Sequence, residues 1–263
     1  MTSPDLFDLS GKRILLVGAT GVLGRTYAKA IAQSGADLAI ADLASSDVLA
    51  LAKEIGAHGI EMDVAEEASV VAGVQKAVAA LGGLDGAISN AAATGEFLTR
   101  EGDAFAEFED YPLSAWQKTL DVNLTGTFLV AREAGRTMKL DNSGSFVAIS
   151  SIYGIVGPDH RIYENQPFKS FPGYSASKAG VIGLTRWLAT WWGKDGLRVN
   201  CITPGGVFND HESSFVEAYS NKTPMGRMAD RTDLIGIVLF LLSDASSYCT
   251  GQNYVVDGGF TAW

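Results

Sequence analysis

Residues 13–24 read RILLVGATGVLG, and this stretch decides how the chain folds. Its mostly apolar start ends in glycine and predicts a strand, and residues 26–35 continue in a helical pattern. Gly18, Gly21 and Gly24 lie between them at three-residue spacing. In a strand, glycine loop and helix of this kind, backbone N–H groups at the helix start can bind a pyrophosphate. The stretch therefore predicts a dinucleotide-binding unit, with a simple tight turn as the alternative.

The next predicted strand, residues 36–43, carries the evidence on cofactor choice. It holds Asp42, 18 residues past Gly24. An acidic side chain near that distance accepts hydrogen bonds from an adenosine ribose and repels a 2′-phosphate. Leu43 follows where a basic residue would favour the phosphate. The pair predicts NAD in preference to NADP; the alternative is that Asp42 caps a helix beginning near Ser45.

Strands and helical segments alternate along the rest of the chain. Strand patterns separated by helical segments of ten or more residues are typical of a doubly wound parallel sheet. We therefore predict an α/β Rossmann-type fold of about seven strands with helices on both faces, in a single domain covering residues 1–263. The later strands are predicted at 58–64, 84–90, 144–151, 197–206 and 252–259, and the later helices at 46–56, 66–81, 114–138, 174–194 and 231–244.

Composition narrows the function classes. The chain has 263 residues, a mass of 27.7 kDa and a formal net charge of −10. Such acidity argues against nucleic acid or an anionic membrane as a partner, since both attract basic surfaces. No signal-peptide pattern and no apolar run of about 20 residues is seen, so a cytoplasmic location is expected. Cys201 and Cys249 show no metal-ligand spacing with the three histidines, which predicts free thiols and no metal.

The segment YSASK, residues 174–178, supplies a candidate acid–base group. Tyr174 and Lys178 are four residues apart, so on a helix they share one face. A nearby positive charge favours the phenolate and lowers a tyrosine pKa from about 10. Such a phenol can take a proton from an alcohol or give one to a carbonyl. The alternative is an ordinary solvated helix face.

Polar residues at predicted strand ends mark the ligand edge of the sheet. Asp63, Asn90 and Ser151 occupy such positions, where ligands of doubly wound sheets bind. The Ser151 hydroxyl is placed to hydrogen-bond a substrate oxygen whose charge changes during reaction. Asn123 falls inside the predicted helix 114–138, where asparagine is locally unfavourable. It either holds something there or faces solvent.

Taken in order, these motifs resemble the short-chain dehydrogenase/reductase family, single-domain type. The resemblance extends from Gly11 to Gly259. It implies an NAD-dependent oxidoreductase that interconverts a secondary alcohol and a ketone, with a small-molecule substrate. The motifs that carry it are the glycine loop, Asn90, Asn123, Ser151, Tyr174 and Lys178.

The resemblance implies a catalytic tetrad of Asn123, Ser151, Tyr174 and Lys178. Ser151 would hold the reacting oxygen and Tyr174 would transfer the proton. Lys178 would lower the tyrosine pKa and bind the nicotinamide ribose, and Asn123 would support a water leading to solvent. The implied cofactor-binding residues are Gly18, Thr20, Gly21, Leu23, Gly24, Asp42, Leu43, Asp63, Val64, Asn90, Ala91, Ala92, Tyr174, Lys178, Pro204, Gly205, Val207 and Asn209.

Two departures from the family pattern leave alternatives open. Val22 stands where single-domain members usually carry glycine, and the glycine spacing looks more like the larger epimerase-type members. Asn209 stands where the family often has threonine. The alternatives are an epimerase or dehydratase that retains NAD, and a non-catalytic dinucleotide-sensing protein.

A third departure concerns the substrate. Ser151 and Tyr174 are 23 residues apart, longer than is usual in the family. This separation predicts a substrate-loop insertion near 155–173, and the acidic stretch without clear periodicity after Asn90 predicts another near 93–112. Inserted loops often carry recognition. His160 and Arg161, with Ser151 and Tyr174, are the candidate substrate contacts. A sugar, sugar acid or polyol is favoured by the polar groups of the second insertion, Asp159, His160, Arg161, Tyr163 and Glu164. Packing of the second insertion between subunits is the alternative.

Aromatic residues near the end of the chain bear on assembly. The segment 187–193 and the terminal FTAW carry aromatics that a monomer rarely leaves in water. With the family resemblance, they predict a homotetramer or a homodimer. Core packing of Trp187 and Trp191 is the alternative.

Overall fold

A computed structural model of the chain describes residues 6–94, 106–164, 166 and 168–263. Most of the first predicted insertion, 95–105, and residues 165 and 167 of the second lie outside the described residues. The predicted Rossmann-type fold is confirmed, and the described residues form one wholly parallel sheet of seven strands. The strands are β1 (Arg13–Val17), β2 (Asp37–Asp42), β3 (His58–Glu61), β4 (Gly86–Ser89), β5 (Gly144–Ile149), β6 (Leu197–Pro204) and β7 (Asn253–Val256). Their order across the sheet is β3-β2-β1-β4-β5-β6-β7.

Helices cover both faces of the sheet. The predicted helix 114–138 is interrupted, because one π-helical turn, Asp121–Thr125, separates the helix Leu113–Leu120 from the helix Gly126–Met138. The prediction for residues 207–230 contained no helix, yet the helix Ser213–Ser220 lies there. The helices are α1 (Val22–Gln33), α2 (Val48–Ile55), α3 (Glu67–Leu81), α4 (Leu113–Leu120), α5 (Gly126–Met138), α6 (Pro172–Trp192), α7 (Ser213–Ser220) and α8 (Ile235–Leu242).

The two-residue period of β1 shows how both faces are buried. Ile14 and Leu16 point into a core that they share with α1, α2 and α8. Leu15 and Val17 point into the opposite core, packed against α3, α5 and α6. Successive strand side chains point to opposite faces, and a covered parallel strand therefore reads as a continuous apolar run. Burial of all four explains why this stretch sets the fold.

The site follows from the strand order. The chain runs from β1 outward to β3, then returns so that β4 pairs with the other side of β1. Ligands bind in the crevice beyond the carboxyl ends of the strands at such a reversal. A third apolar cluster lies beyond that edge, built from Ile152, Ile162, Phe215, Tyr219, Met228 and Phe260.

None of the helices among residues 6–94, 106–164, 166 and 168–263 has the length and apolar character that crossing a bilayer requires.

Candidate active site

The glycine loop joins the end of β1 to the start of α1. Gly18 has φ +82°, and a β-carbon there would lie 2.3 Å from the Ala91 nitrogen. A β-carbon on Gly24 would lie 2.1 Å from the Gly18 oxygen, whereas one on Gly21 would make only an ordinary contact with that oxygen at 3.9 Å. Gly18 and Gly24 are thus required by close backbone approach. Val22 begins α1, where the backbone is helical and a side chain fits.

The start of α1 is left open to a ligand. Gly21 precedes the helix and provides no side-chain cap. The first N–H groups of a helix have no partner within it and attract anions. Gly18, Thr20, Gly21 and Leu23 all line the cleft at this point. The loop therefore forms a cradle that fits a pyrophosphate.

Asp42, at the end of β2, is held rigidly beside this loop. One carboxylate oxygen accepts hydrogen bonds from the Thr20 N–H at 2.8 Å and the Thr20 hydroxyl at 2.7 Å. The other accepts from the Leu43 N–H at 2.8 Å. Asp47 is the residue that precedes α2, so the alternative reading of Asp42 as a helix cap is wrong. A fixed carboxylate at this edge fits an adenosine ribose.

Residues after β3 and β4 complete this half of the cleft. Asn90 donates from its side-chain amide to the Gly18 oxygen at 2.7 Å and so ties the end of β4 to the glycine loop. One Asp63 carboxylate oxygen accepts from the Ala65 N–H at 2.9 Å. Asp63 and Val64 line the cleft, as do Ala91 and Ala92.

Asn123 is fully buried in the π-helical turn, so a solvent-facing role is wrong. Its side-chain oxygen accepts from the Ala93 N–H at 2.7 Å. Its amide nitrogen donates to the Ser177 hydroxyl at 3.0 Å. It therefore links the segment after β4 to α6. The hydroxyl of Thr127 donates to its backbone oxygen at 2.8 Å.

Ser151, Tyr174 and Lys178 meet at the carboxyl edge despite their separation in sequence. All three line the cleft. Lys178 is 2% exposed, and its ammonium donates to the Ile149 oxygen at 2.9 Å. The same nitrogen lies 5.6 Å from the centroid of the Tyr174 ring. The phenol, the ammonium and the Ser151 hydroxyl thus belong to residues that line one cleft, with the ammonium beside the phenol ring.

Burial shifts the pKa values of both Tyr174 and Lys178. Burial raises the pKa of Tyr174, and hydrogen bonding with Ser151 opposes that rise. Burial also lowers the pKa of Lys178 to about 8, against a smaller raising effect of the Cys201 thiol. Desolvation is thus the main influence on both pKa values, and the lowering of the tyrosine pKa by Lys178 stays a prediction.

A single cleft of about 1020 Å³ contains this group. Every residue predicted to bind the cofactor lines this cleft except Gly24. Gly24 instead allows the close backbone approach that shapes the glycine loop. Pro204 ends β6, Gly205 and Val207 follow it, and Val207 forms a bridge with Ala229. The side-chain oxygen of Asn209 accepts from Arg231 at 3.1 Å.

The second insertion places Tyr163 in the cleft lining, but not His160 or Arg161. His160 and Arg161 are exposed and lie outside the cleft lining. Arg161 pairs with Asp159 at 2.7 Å, and Lys222 pairs with the same carboxylate. These two cations hold the pKa of Asp159 well below its usual range. The prediction that His160 and Arg161 contact the substrate is therefore corrected, because both side chains lie outside the cleft lining. Arg161 instead forms an ion pair with Asp159 on the outside of the insertion.

An aromatic surface lines the substrate side of the cleft instead. We call it the aromatic wall; its members are Tyr153, Tyr163, Phe168, Phe215 and Tyr219. The Phe168 and Phe215 rings meet at 5.2 Å between centroids, and Tyr163 packs on both. The insertion supplies Tyr163 and Phe168, and α7 supplies Phe215 and Tyr219.

Sequence reasoning missed the contribution of α7 and of His211. The Tyr219 hydroxyl accepts a hydrogen bond from the Gly206 N–H. The His211 ring stacks on Phe215 at 5.1 Å, and its Nδ1 accepts from the Asn209 N–H at 3.1 Å. The i, i+4 spacing of Phe215 and Tyr219 indicates a helical apolar face, but no local signal places that face at the cleft.

Fold and site together define a class, the Rossmann-type proteins that bind a dinucleotide beside a tyrosine, lysine and serine group. A family model described as Enoyl-(Acyl carrier protein) reductase matches residues 18–261. The chain belongs to the short-chain dehydrogenase/reductase family, whose members use nicotinamide dinucleotides.

Three curated relatives illustrate the range of the family. A 3-alpha-(or 20-beta)-hydroxysteroid dehydrogenase of Mycobacterium tuberculosis is 36% identical over 97% of this chain and 91% of that protein. A 2,5-dichloro-2,5-cyclohexadiene-1,4-diol dehydrogenase of Sphingobium indicum is 35% identical over 97% and 99%. A D-threitol dehydrogenase of Mycolicibacterium smegmatis is 33% identical over 97% and 95%. All three are named dehydrogenases.

Solved structures of the same family are also similar to this chain. A short-chain dehydrogenase/reductase of Mycobacterium marinum is 33% identical, covers 100% of both chains and has a TM-score of 0.86. A gluconate 5-dehydrogenase of Burkholderia cenocepacia, in complex with NADP and tartrate, is 27% identical with a TM-score of 0.88 over 100% of both chains. Relatives of this fold therefore include an NADP-binding member.

Proposed function

We propose that this protein is an NAD-dependent dehydrogenase that interconverts a ring-shaped, largely apolar secondary alcohol and its ketone. The observation that carries the proposal is the single cleft, in which the glycine loop and Asp42 lie at one side and Ser151, Tyr174 and Lys178 beside the aromatic wall. Alcohol and ketone interconversion is also the chemistry of the named dehydrogenase relatives.

The proposed mechanism assigns the proton to Tyr174. In the reductive direction the phenol donates its proton to the carbonyl oxygen, and in the oxidative direction the phenolate accepts it back. Ser151 donates a hydrogen bond to the same oxygen as charge develops on it. A nicotinamide cofactor held by Lys178 through its ribose would supply or accept the hydride. Burial keeps Tyr174 protonated at neutral pH, which favours reduction there.

Lys178 and Asn123 position these groups. The Lys178 ammonium is fixed by its bond to the Ile149 oxygen and presents its charge beside the Tyr174 ring. It is also the group we assign to the nicotinamide ribose. Asn123 holds α6 through Ser177. Because its side chain is committed to Ala93 and Ser177, we assign it a positioning role rather than contact with substrate.

The NAD assignment rests on Asp42. Its carboxylate is fixed by Thr20 and Leu43 at the edge where the adenosine ribose would lie. A 2′-phosphate at that place would add charge of the same sign. Arg25, the nearby cation, is engaged by Asp47 and by the Thr20 oxygen. The side chains at this edge thus support ribose binding and oppose a phosphate.

The aromatic wall supports a ring substrate. Flat apolar side chains bury carbon surface well and offer few of the hydrogen bonds that a polyhydroxylated chain needs. Two of the curated relatives are named for ring compounds, a hydroxysteroid and a cyclohexadienediol. A sugar, sugar acid or polyol is the second candidate, favoured by the named activities of the threitol and gluconate dehydrogenases.

A substrate panel tests the proposal. We expect NADH formation at alkaline pH with ring alcohols such as cyclohexanol and hydroxysteroids, and slower formation with sugars and linear polyols, with NADP run in parallel. Turnover restricted to polyols would establish the second candidate. Tight NADH binding without net turnover of free cofactor would instead favour an epimerase or dehydratase with retained NAD, or a sensing protein.

We also propose assembly as a homotetramer, with a homodimer as the alternative. Trp187 and Trp191 on α6 are 57% and 63% exposed and stack on each other at 5.3 Å. The alternative of core packing for these two side chains is not what the structure has. Large stacked aromatics on a helix surface are typical of a protein interface.

A further inference from the structure

The aromatic wall contains one polar feature, a direct contact between two phenols. The hydroxyl oxygens of Tyr153 and Tyr163 lie 2.7 Å apart. Tyr153 sits in the turn Ile152–Gly154 just after β5, and Tyr163 ends the turn His160–Tyr163 in the second insertion. Both line the cleft. The contact therefore joins the insertion to the strand end that carries Ser151.

The two phenols can donate one more hydrogen bond than the one between them. Two phenols carry two hydroxyl hydrogens, and their mutual bond uses one. Among the residues that the structure describes, neither hydroxyl makes another hydrogen bond. A half-buried donor without an acceptor is costly, so such groups are usually satisfied by water or by a ligand. The spare hydrogen is available to a molecule in the cleft.

The pair is held in a fixed relation to the reacting groups. The Tyr153 N–H donates to the Ser151 hydroxyl oxygen at 3.3 Å. Tyr174 is near enough that its charge would raise the pKa of both Tyr153 and Tyr163. On the other side, the Tyr163 ring is wedged against Phe168 and Phe215. A substrate whose reacting oxygen meets Ser151 would have the pair within the same cleft.

The chemistry of the pair favours an uncharged partner. Burial is the main cause that raises the pKa of Tyr163 to about 12, so the pair stays neutral at physiological pH. Lys169, the insertion cation that lines the cleft, is paired with Glu107 at 3.1 Å. A keto oxygen can accept a hydrogen bond from a phenol. A hydroxyl can both accept a hydrogen bond from a phenol and donate one to it.

We propose that the Tyr153–Tyr163 hydroxyl pair is a second recognition point, which binds an uncharged oxygen substituent on the ring of the substrate. This inference rests on the proposed function and narrows its substrate class to ring alcohols with a second oxygen, such as diols and hydroxyketones. The pair determines specificity; Ser151 and Tyr174 perform the reaction.

The test compares ring ketones with and without the second oxygen. Reduction of cyclohexanone and of 2-, 3- and 4-hydroxycyclohexanone by NADH is measured for the unmodified protein, Tyr163→Phe, Tyr153→Phe and the double variant. We expect the unmodified protein to prefer one hydroxylated isomer. Either single substitution lowers that preference, as a ratio of kcat/KM values, by about tenfold, the cost of one lost hydrogen bond to a buried group.

The double variant and a surface control sharpen the result. Because the two phenols act as one unit, we expect the double variant to lose little more than either single one. Tyr248→Phe removes the same atom from a fully exposed tyrosine, and we expect the ratio to be unchanged. Equal losses on cyclohexanone and its hydroxylated forms would show that the pair only packs the insertion, and would overturn the proposal. An unmodified protein without preference for any isomer would do the same.

A binding measurement separates this proposal from the proposed function. In the Tyr174→Phe background, calorimetry with NADH present compares the affinity for the hydroxycyclohexanones with that for cyclohexanone. Tighter binding of one hydroxylated isomer that is lost on adding Tyr163→Phe supports the pair even if the unmodified protein reduces neither ketone. Equal affinities with and without Tyr163→Phe would overturn it even if turnover is rapid.

Discussion

The Lys178 ammonium lies 5.6 Å from the centroid of the Tyr174 ring and is almost wholly buried. Burial shifts the pKa values of the two groups in opposite directions, because it disfavours the charged form of each, the phenolate and the ammonium. It raises the pKa of Tyr174 and lowers the pKa of Lys178 to about 8. Both shifts make the pair neutral over part of the alkaline range.

This arrangement predicts opposite pH profiles for the two directions. Reduction needs a protonated Tyr174 beside a charged Lys178, so kcat/KM for a ketone should decline as pH rises through about 8, where Lys178 loses its proton. Oxidation needs the phenolate and should accelerate with pH. Rates measured in both directions between about pH 6 and about pH 10 check this. The apparent pKa belongs to the coupled pair, and a reductive rate that stays flat above pH 8 would contradict the assignment.

Tyr174→Phe removes the proton donor and keeps the ring. We expect kcat to fall by about 10²- to 10⁴-fold, the usual contribution of general acid–base catalysis. NADH affinity, followed by fluorescence, should change little. The matched control is Tyr219→Phe, which removes another cleft hydroxyl but leaves the proton donor. Turnover of Tyr174→Phe close to that of the unmodified protein would assign the proton to a different group.

Asp42→Ala tests cofactor choice. The unmodified protein should bind NADH more tightly than NADPH, and the substitution should narrow the ratio of the two Kd values by about tenfold or more. Repulsion between unit charges at about 4 Å is worth roughly 1–4 kcal/mol between water and a protein surface. Asp37→Ala, at the exposed opposite end of β2, serves as control. Tighter NADPH binding by the unmodified protein would reverse the assignment.

Asn123→Ala leaves the buried Ala93 N–H without its side-chain acceptor. It also removes the hydrogen bond that the Ser177 hydroxyl accepts, although that hydroxyl still donates to the Tyr174 backbone oxygen. We expect a loss of about 2 kcal/mol in the free energy of unfolding. Thermal unfolding followed by circular dichroism should show a lower Tm, by roughly 2–4 °C per kcal/mol. Asn221→Ala, on the exposed surface after α7, should have little effect. Equal Tm values for both variants would mean that the bonds of Asn123 contribute nothing.

Trp187→Glu addresses assembly. A charge introduced into the stacked pair with Trp191 should not be tolerated in a buried interface, because an unpaired charge there is costly to desolvate. Light scattering coupled to size exclusion should show a smaller species than the unmodified protein. Leu49→Glu, an equivalent change on α2, is expected to leave the mass unchanged. A monomeric unmodified protein would remove the basis for the interface.

Patterns among residues close in sequence were enough to predict the elements that form the dinucleotide side of the cleft. The β1 run, the glycine loop and Asp42 depend on residues that are neighbours in sequence or on one strand, and the structure places them as expected. The Tyr174–Lys178 spacing likewise predicts a shared helix face, and both residues line the cleft from α6. A cytoplasmic location and the proton transfer remain predictions.

Other features depend on contacts between distant segments and left no local signal. The π-helical turn at Asn123 interrupts a pattern that reads as one helix. Charges in the second insertion suggested a polar substrate site, but Asp159 and Lys222, 63 residues apart, satisfy each other on its outer surface. The aromatic wall combines members from Tyr153 to Tyr219, and only the folded chain brings them together.

The aromatic wall also bears on how this enzyme acquires new substrates. The glycine loop and Asp42 belong to the half of the chain before β5, and the members of the wall all follow it. Tyr153 and the insertion residues Tyr163 and Phe168 lie outside the sheet, so their replacement removes no strand pairing. Natural variation can therefore remodel the substrate side while the glycine loop and Asp42 are inherited intact. The insertion is the place to begin any directed change of specificity.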